Sequence, residues 1–105
     1  MYGAIEAGGT KINCLVAESI TKIIDRCQIP TQNPDNTIQR IADFFSRHNQ
    51  VGLRKIGLAC FGPLDLNPNS PNYGMITTTP KPGWRDFNLK NELEHRLQIP
   101  IRIDT

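Results

Sequence analysis

The 105-residue sequence has few cysteines, no long apolar run and only a small excess of positive charge, and each shortage removes a class of function. Its three cysteines, Cys14, Cys27 and Cys60, are widely spaced and form no CxxC pair. Neither a disulfide framework nor a zinc knuckle is indicated, and a reducing cytoplasm is the natural setting. The longest weakly polar stretch, Ile56 to Leu64, holds two glycines and a proline. It falls far short of the roughly 20 residues that cross a bilayer. The apolar start Tyr2-Gly3-Ala4-Ile5 is cut off by Glu6 and has no basic segment before it, so no signal peptide is expected. Twelve basic and ten acidic side chains leave a net charge of +2. With no run of Lys or Arg, charge marks neither a nucleic-acid nor a membrane partner. No internal repeat, low-complexity segment or linker is visible.

What is present is ordinary globular composition, 38% apolar and 21% charged, in a length that fits one domain. A domain of this size removes roughly 60–70% of its unfolded surface on folding, enough for a core of its own. Ile5 and Ala7, then Ile12, Cys14 and Val16, alternate as strands do, over 2–7 and 11–18. Gly8-Gly9 falls between them, where a tight hairpin uses residues that tolerate positive φ. A third β-rich stretch, 22–29, follows after a short link and predicts an antiparallel meander.

Asn33-Pro34-Asp35 reads as a helix start, with Asn capping free N–H groups, Pro losing nothing at the first position and Asp suiting the positive end. Ile38, Ile41, Ala42 and Phe45 give one apolar face through about residue 49. Lys55 to Phe61 reads as a buried central strand closed by Gly62-Pro63. From Asp65 to Gly83 the chain turns rich in Asn, Pro, Thr and Gly, a long excursion with one short strand expected near Gly74 to Thr77. Leu89, Leu93 and Leu97 predict a second helix capped by Asn88 and ended by Pro100, and Ile101-Arg102-Ile103 begins a last strand. His48 and His95 sit alone in these helices and are expected to face solvent.

The order βββαβαβ predicts an α/β fold with a mixed five-stranded sheet. Strands one, four and five should be mutually parallel and buried under helices. Ligands of such sheets collect outside the carboxyl ends of the parallel strands. Those ends carry Glu6-Ala7-Gly8-Gly9-Thr10-Lys11, then Phe61-Gly62-Pro63-Leu64-Asp65, then Asp104-Thr105. Adjacent glycines admit an anion to the backbone, Thr10 adds a hydroxyl and Lys11 a positive charge. The spacing is that of neither a Walker A loop nor GxGxxG. Read alone, it fits a plain Gly-Gly hairpin with a solvated lysine as well as a phosphate cradle.

Together with Thr79-Pro80-Lys81-Pro82-Gly83-Trp84 before a helix, these motifs resemble the ROK sugar kinases, most closely their bacterial fructokinase branch. The resemblance covers nearly the whole chain with three motifs in order. It implies the ribonuclease-H-like half of an actin/hexokinase-type ATPase fold, so that residues 1–105 are the N-terminal lobe of a two-lobe kinase. It further implies that Gly8, Gly9, Thr10 and Lys11 bind ATP phosphates. Glu6, standing where many relatives have Asp, acts on Mg²⁺ through water in that reading. Asp65, Pro80, Gly83 and Trp84 are the implied sugar contacts, although Gly-Pro-x-Asp also fits a mere turn and Trp84 a mere core anchor.

The family's catalytic base, the Asp of Asp-x-Asn after the fifth strand, is expected just past Thr105, with Asp104 as the rival register. The fragment is therefore expected to be inactive alone. The resemblance implies a homodimer for the full-length protein, zinc in the following lobe, and a sugar and ATP as its partners. Family repressors place a DNA-binding segment ahead of the glycine turn, and here Met1 stands five residues before Glu6.

Overall fold

The structure, a computed structural model, describes residues 1–48 and 52–104, with Asp104 described through its backbone. Alternating burial sets the strands. In β1 (Tyr2–Ala7), Ile5 and Ala7 are buried while Glu6 is exposed. β2 (Lys11–Ser19) buries Ile12, Cys14 and Val16 on the same face, and β3 (Lys22–Pro30) closes that edge of the sheet. β4 (Lys55–Cys60) and β5 (Ile101–Asp104) complete a sheet ordered β3-β2-β1-β4-β5. β1 runs antiparallel to β2 and parallel to β4, β2 antiparallel to β3, and β4 parallel to β5. The carboxyl ends of β1, β4 and β5 therefore share one edge, with Glu6, Ala59 and Asp104 in a single row.

The two helices lie on one face. α1 (Pro34–Ser46) buries Ile38, Ile41, Phe44 and Phe45, and α2 (Leu89–Leu97) buries Leu89, Leu93 and Leu97, all in one core with Ile5, Ile12, Ile56 and Ile101. Each such side chain contributes about 1.5–3 kcal/mol by leaving water. The parallel strands are thus covered on one side only: Leu58 is buried but Gly57 and Ala59 are exposed, in contrast to the expected burial under helices. The physical reason is that both helices join the same core, so the second face of the sheet receives neither.

Caps fix the helix starts. Asn33 Oδ1 accepts from the Asn36 N–H at 2.9 Å, and Asn88 Oδ1 from the Asn91 N–H at 3.0 Å. α1 stops at Ser46, where the His48 N–H turns back to the Phe45 carbonyl at 3.0 Å, and the expected end near residue 49 lies outside the described residues. α2 ends on Gln98 in the left-handed region at φ 55°, and Pro100 follows.

Two expectations fail locally. The short strand near Gly74 to Thr77 is reduced to single bridges from the buried Ile76 to Leu64 and Phe87. His48 is not solvent-facing: its side chain is 15% exposed and its Nε2 lies 3.1 Å from Asp25 Oδ2, because β3 runs beside the end of α1. His95 is exposed.

Candidate phosphate and sugar site

The hairpin between β1 and β2 is built on Gly8. Its N–H donates to the Lys11 carbonyl at 2.9 Å, and a Cβ on Gly8 would stand 2.9 Å from that same oxygen. Neither Gly8 nor Gly9 takes a positive φ, so the turn requires glycine for space and not for angle, which corrects the expectation. A Cβ on Gly9 would meet nothing within 4 Å. Among the described residues, the N–H groups of Gly9 and Thr10 and the Thr10 hydroxyl donate to no protein acceptor, and both residues are exposed. Each hydrogen bond from such donors to a charged acceptor is worth about 1.5–3 kcal/mol.

Thr31 holds this turn from behind, a role the sequence reading missed. Its buried hydroxyl donates to the Gly8 carbonyl at 2.8 Å and its N–H to the Thr10 carbonyl at 3.0 Å. The next residue extends the brace: the Gln32 N–H donates to Thr37 Oγ1 at 3.0 Å, and the Gln32 carbonyl accepts from Trp84 Nε1 at 2.9 Å.

Gly9 and Thr10 line an open groove of about 480 Å³ together with Phe61 and Gly62 at the end of β4 and Thr79 to Pro82 from the excursion. The three motifs that stood apart in sequence meet here. Lys81 is among the lining residues, and Thr79 Oγ1 accepts from the Lys81 N–H at 3.2 Å. The peptide bond Gly62-Pro63 is cis. Lys11 is exposed beside the turn.

Of the four expected sugar contacts, only Pro80 lines the groove. Gly83, at φ +85°, reverses the chain, and a Cβ there would crowd Pro34 Cδ at 3.1 Å. Trp84 is fully buried, its ring meeting Phe61 and Phe87 edge-on at 5.7 and 5.4 Å between centroids. It offers no free face, which corrects the expectation of a ring closing over a sugar: the aromatic neighbours on both sides make it the anchor of the excursion. The Asp65 carboxylate organises its own loop, accepting from the Asn67 N–H at 3.1 Å and the Ser70 hydroxyl at 2.6 Å. Those bonds make it the pivot of a turn.

Glu6 projects onto the helix-free face, where it lines a shallow concavity of about 640 Å³ with Asn13, Gly57, Ala59 and Arg102. Asn13 Nδ2 donates to Glu6 Oε1 at 3.1 Å, and Gln28 Nε2 donates to Asn13 Oδ1 at 3.0 Å. Among the described residues, no group of three or more His, Cys, Asp or Glu is placed to hold a metal. A single carboxylate oriented by an amide suits Mg²⁺, which keeps several waters and binds through one or two carboxylates plus phosphates. The donor set therefore fits that ion as a water-mediated contact.

The family model described as the ROK family matches residues 2–105. The chain belongs to the ROK family. It is 44% identical over 101 residues to a fructokinase of Pediococcus pentosaceus, covering 96% of this chain and 34% of that relative. A fructokinase of Lactococcus lactis subsp. cremoris is also 44% identical, over 104 residues, covering 99% of this chain and 35% of the relative. The chain thus spans about a third of the length of the curated relatives it matches. Among solved structures, a ROK family glucokinase from Streptomyces griseus in complex with glucose and AMPPNP superposes with a TM-score of 0.77 at 19% identity, covering 99% of this chain and 32% of that one. That likeness shows that the two chains share a fold. Among the described residues, no helix of this ROK chain is long and apolar enough to cross a membrane.

Proposed function

We propose that this chain is the N-terminal lobe of an ATP-dependent hexose kinase, with fructose as the favoured sugar. The observation that carries the reading is the shared groove: Gly9 and Thr10, whose N–H groups donate to no protein acceptor among the described residues, line one opening with the end of β4 and the Thr79 to Pro82 segment. In this assignment Gly8 shapes the turn, Gly9 and Thr10 donate to phosphate oxygens, and Lys11 adds charge from the rim. Thr31 keeps the turn from opening. Pro80 and its neighbours form the wall on the sugar side, Gly83 and Trp84 hold that wall in place, and Asp65 sets the loop before it. Glu6 would hold Mg²⁺ through water, and the ion would supply neutralisation of phosphate charge.

The choice of fructose follows the two fructokinase relatives, each covered over about a third of its length. The general base that takes the sugar hydroxyl's proton belongs past Thr105 at the tip of β5, whose last described residue, Asp104, stands in the row of Glu6 and Ala59. Asp104 itself is the rival position. The adenosine pocket and any zinc cluster belong to the lobe that follows. The full-length protein is read as a cytoplasmic homodimer without a nucleic-acid partner, supported by the family resemblance and by the lack of a Lys/Arg run.

The test is sugar phosphorylation measured on this chain and on a version extended through the second lobe. The chain alone is expected to be inactive and to bind ATP weakly, since one phosphate turn without an adenosine pocket forfeits most contacts. The extended protein should phosphorylate fructose in preference to glucose or mannose. Turnover by the short chain would refute the placement of the base, and an inert extended protein would overturn the kinase reading.

A further inference from the structure

Cys14 on β2 and Cys27 on β3 are direct partners in the antiparallel register. Directly opposed residues in such a ladder have Cα atoms about 4.5 or 5.5 Å apart and Cβ atoms about 4.5–5.5 Å apart. A disulfide spans Cα separations of about 4.4–6.8 Å and Cβ separations of about 3.5–4.5 Å. A directly opposed pair falls within the first range, and a small approach of the two strands would bring it within the second. Both thiols lie on the face toward α1: Cys14 is 2% exposed within the core, and Cys27 packs against that core from its rim.

Access is asymmetric. Cys27 lines an open groove of about 430 Å³ between β3 and α1, with Arg40, Asp43 and Arg47 around it. Cys14 sits behind it. Cys60 provides an internal contrast, being buried opposite Ala7. Burial also pushes the Cys60 thiol up to about 12.

We propose that Cys14 and Cys27 form a cross-strand redox pair that a hydroperoxide converts to a disulfide. The Cys27 thiolate attacks the peroxide oxygen, the O–O bond breaks, and the departing oxygen leaves as water or alcohol after taking a proton. Cys27 is now a sulfenic acid, oxidised by two electrons. The Cys14 sulfur then attacks the Cys27 sulfur, the S–O bond breaks, and hydroxide leaves with the Cys14 proton as water. Two thiols and one hydroperoxide give one disulfide, one water and one further water or alcohol. A dithiol reverses the step by exchange. Burial raises both thiols, so the conversion is slow beside that of an activated thiolate and requires sustained oxidant.

The pair lies three rungs from the phosphate turn, through Asn13–Gln28, Ile12–Ile29 and Lys11–Pro30, after which Thr31 bonds Thr10. The cross-link would therefore stiffen the two strands that carry the turn and its brace. This inference is independent of the kinase reading.

The test treats the 105-residue chain with hydrogen peroxide under native conditions, blocks free thiols with iodoacetamide, and maps the peptides. The expected product is lighter by two hydrogens, carries a Cys14–Cys27 link reversible by dithiothreitol, and retains a reduced Cys60. The same treatment in guanidinium should scramble the pairing among all three cysteines. Cys14→Ser should leave a sulfenic acid on Cys27 that dimedone traps, Cys14→Ala should give the same trap without adding a hydroxyl to the core, and Cys27→Ser should leave Cys14 unreacted. Links to Cys60 or between chains from the native state, over-oxidised Cys27 without a cross-link, or no oxidation at all would overturn the proposal.

Discussion

The indole Nε1–H of Trp84 donates to the backbone carbonyl of Gln32 at 2.9 Å, tying the long excursion to the link between β3 and α1. Gln32 directly follows Thr31, whose hydroxyl holds the Gly8 carbonyl. The wall of the groove and its phosphate turn therefore hang on one short stretch of backbone.

Trp84→Phe should leave the Gln32 carbonyl without its partner and cost about 1–3 kcal/mol. Trp84→Ala should cost about 3–5 kcal/mol by opening a cavity between Phe61 and Phe87. Urea denaturation of the three proteins checks both values. A change near zero for Trp84→Ala would show that the ring does not anchor the excursion.

Gly8 and Gly9 separate shape from contact. Gly8→Ala places a methyl 2.9 Å from a backbone oxygen, so it should distort the turn and lower stability by about 1–3 kcal/mol. Gly9→Ala meets nothing within 4 Å and should leave the fold nearly unchanged. Its effect should appear instead as weakened nucleotide binding in the protein extended through the proposed second lobe. Isothermal titration with AMPPNP beside thermal melts distinguishes the two, and unaltered binding by Gly9→Ala would remove that residue from the site.

Thr31→Val keeps the shape of the side chain but removes its hydroxyl. The Gly8 carbonyl loses its donor, for an expected loss of about 1 kcal/mol. Amide hydrogen exchange should accelerate at Gly8, whose N–H bond to Lys11 closes the turn. Exchange unchanged at that amide would show that the brace is not needed.

Acid should act at the other end of β3. The hydrogen bond from His48 holds the Asp25 carboxyl below its ordinary value of 3.8, with smaller help from the Arg26 N–H and the Arg47 charge against an opposing effect of burial. A carboxyl depressed on folding contributes stability above its unfolded value and loses it as pH falls through the folded one. Wild type should therefore lose more of its denaturation midpoint than Asp25→Asn does between about pH 5 and pH 2. Parallel acid titrations followed by circular dichroism would show equal losses if the pair contributes nothing.

Local rules account for what the sequence made legible. Asn33-Pro34-Asp35 and Asn88 announced the helix starts because capping is decided within four residues. Short strand-like segments on either side of Gly8-Gly9 announced the first two strands. Thr31 was hidden because its hydroxyl reaches the Gly8 carbonyl across 23 residues, and a lone threonine past the end of β3 carries no local signal of that bond. Trp84 was ambiguous since a Pro-Gly-Trp run reads equally as rim or core, and only the positions of Phe61 and Phe87 decide. The meeting of Asp25 with His48, 23 residues apart, depends on the angle at which α1 crosses β3, which periodicity does not encode.

The side-chain chain from Gln28 through Asn13 to Glu6 carries a further consequence. The Asn13 amide has its oxygen committed to one neighbour and its nitrogen to the other, so its orientation is dictated from the outermost strand. Aim is thereby relayed laterally across three strands, and an exchange at the periphery of the sheet would be felt by a carboxylate that it never touches.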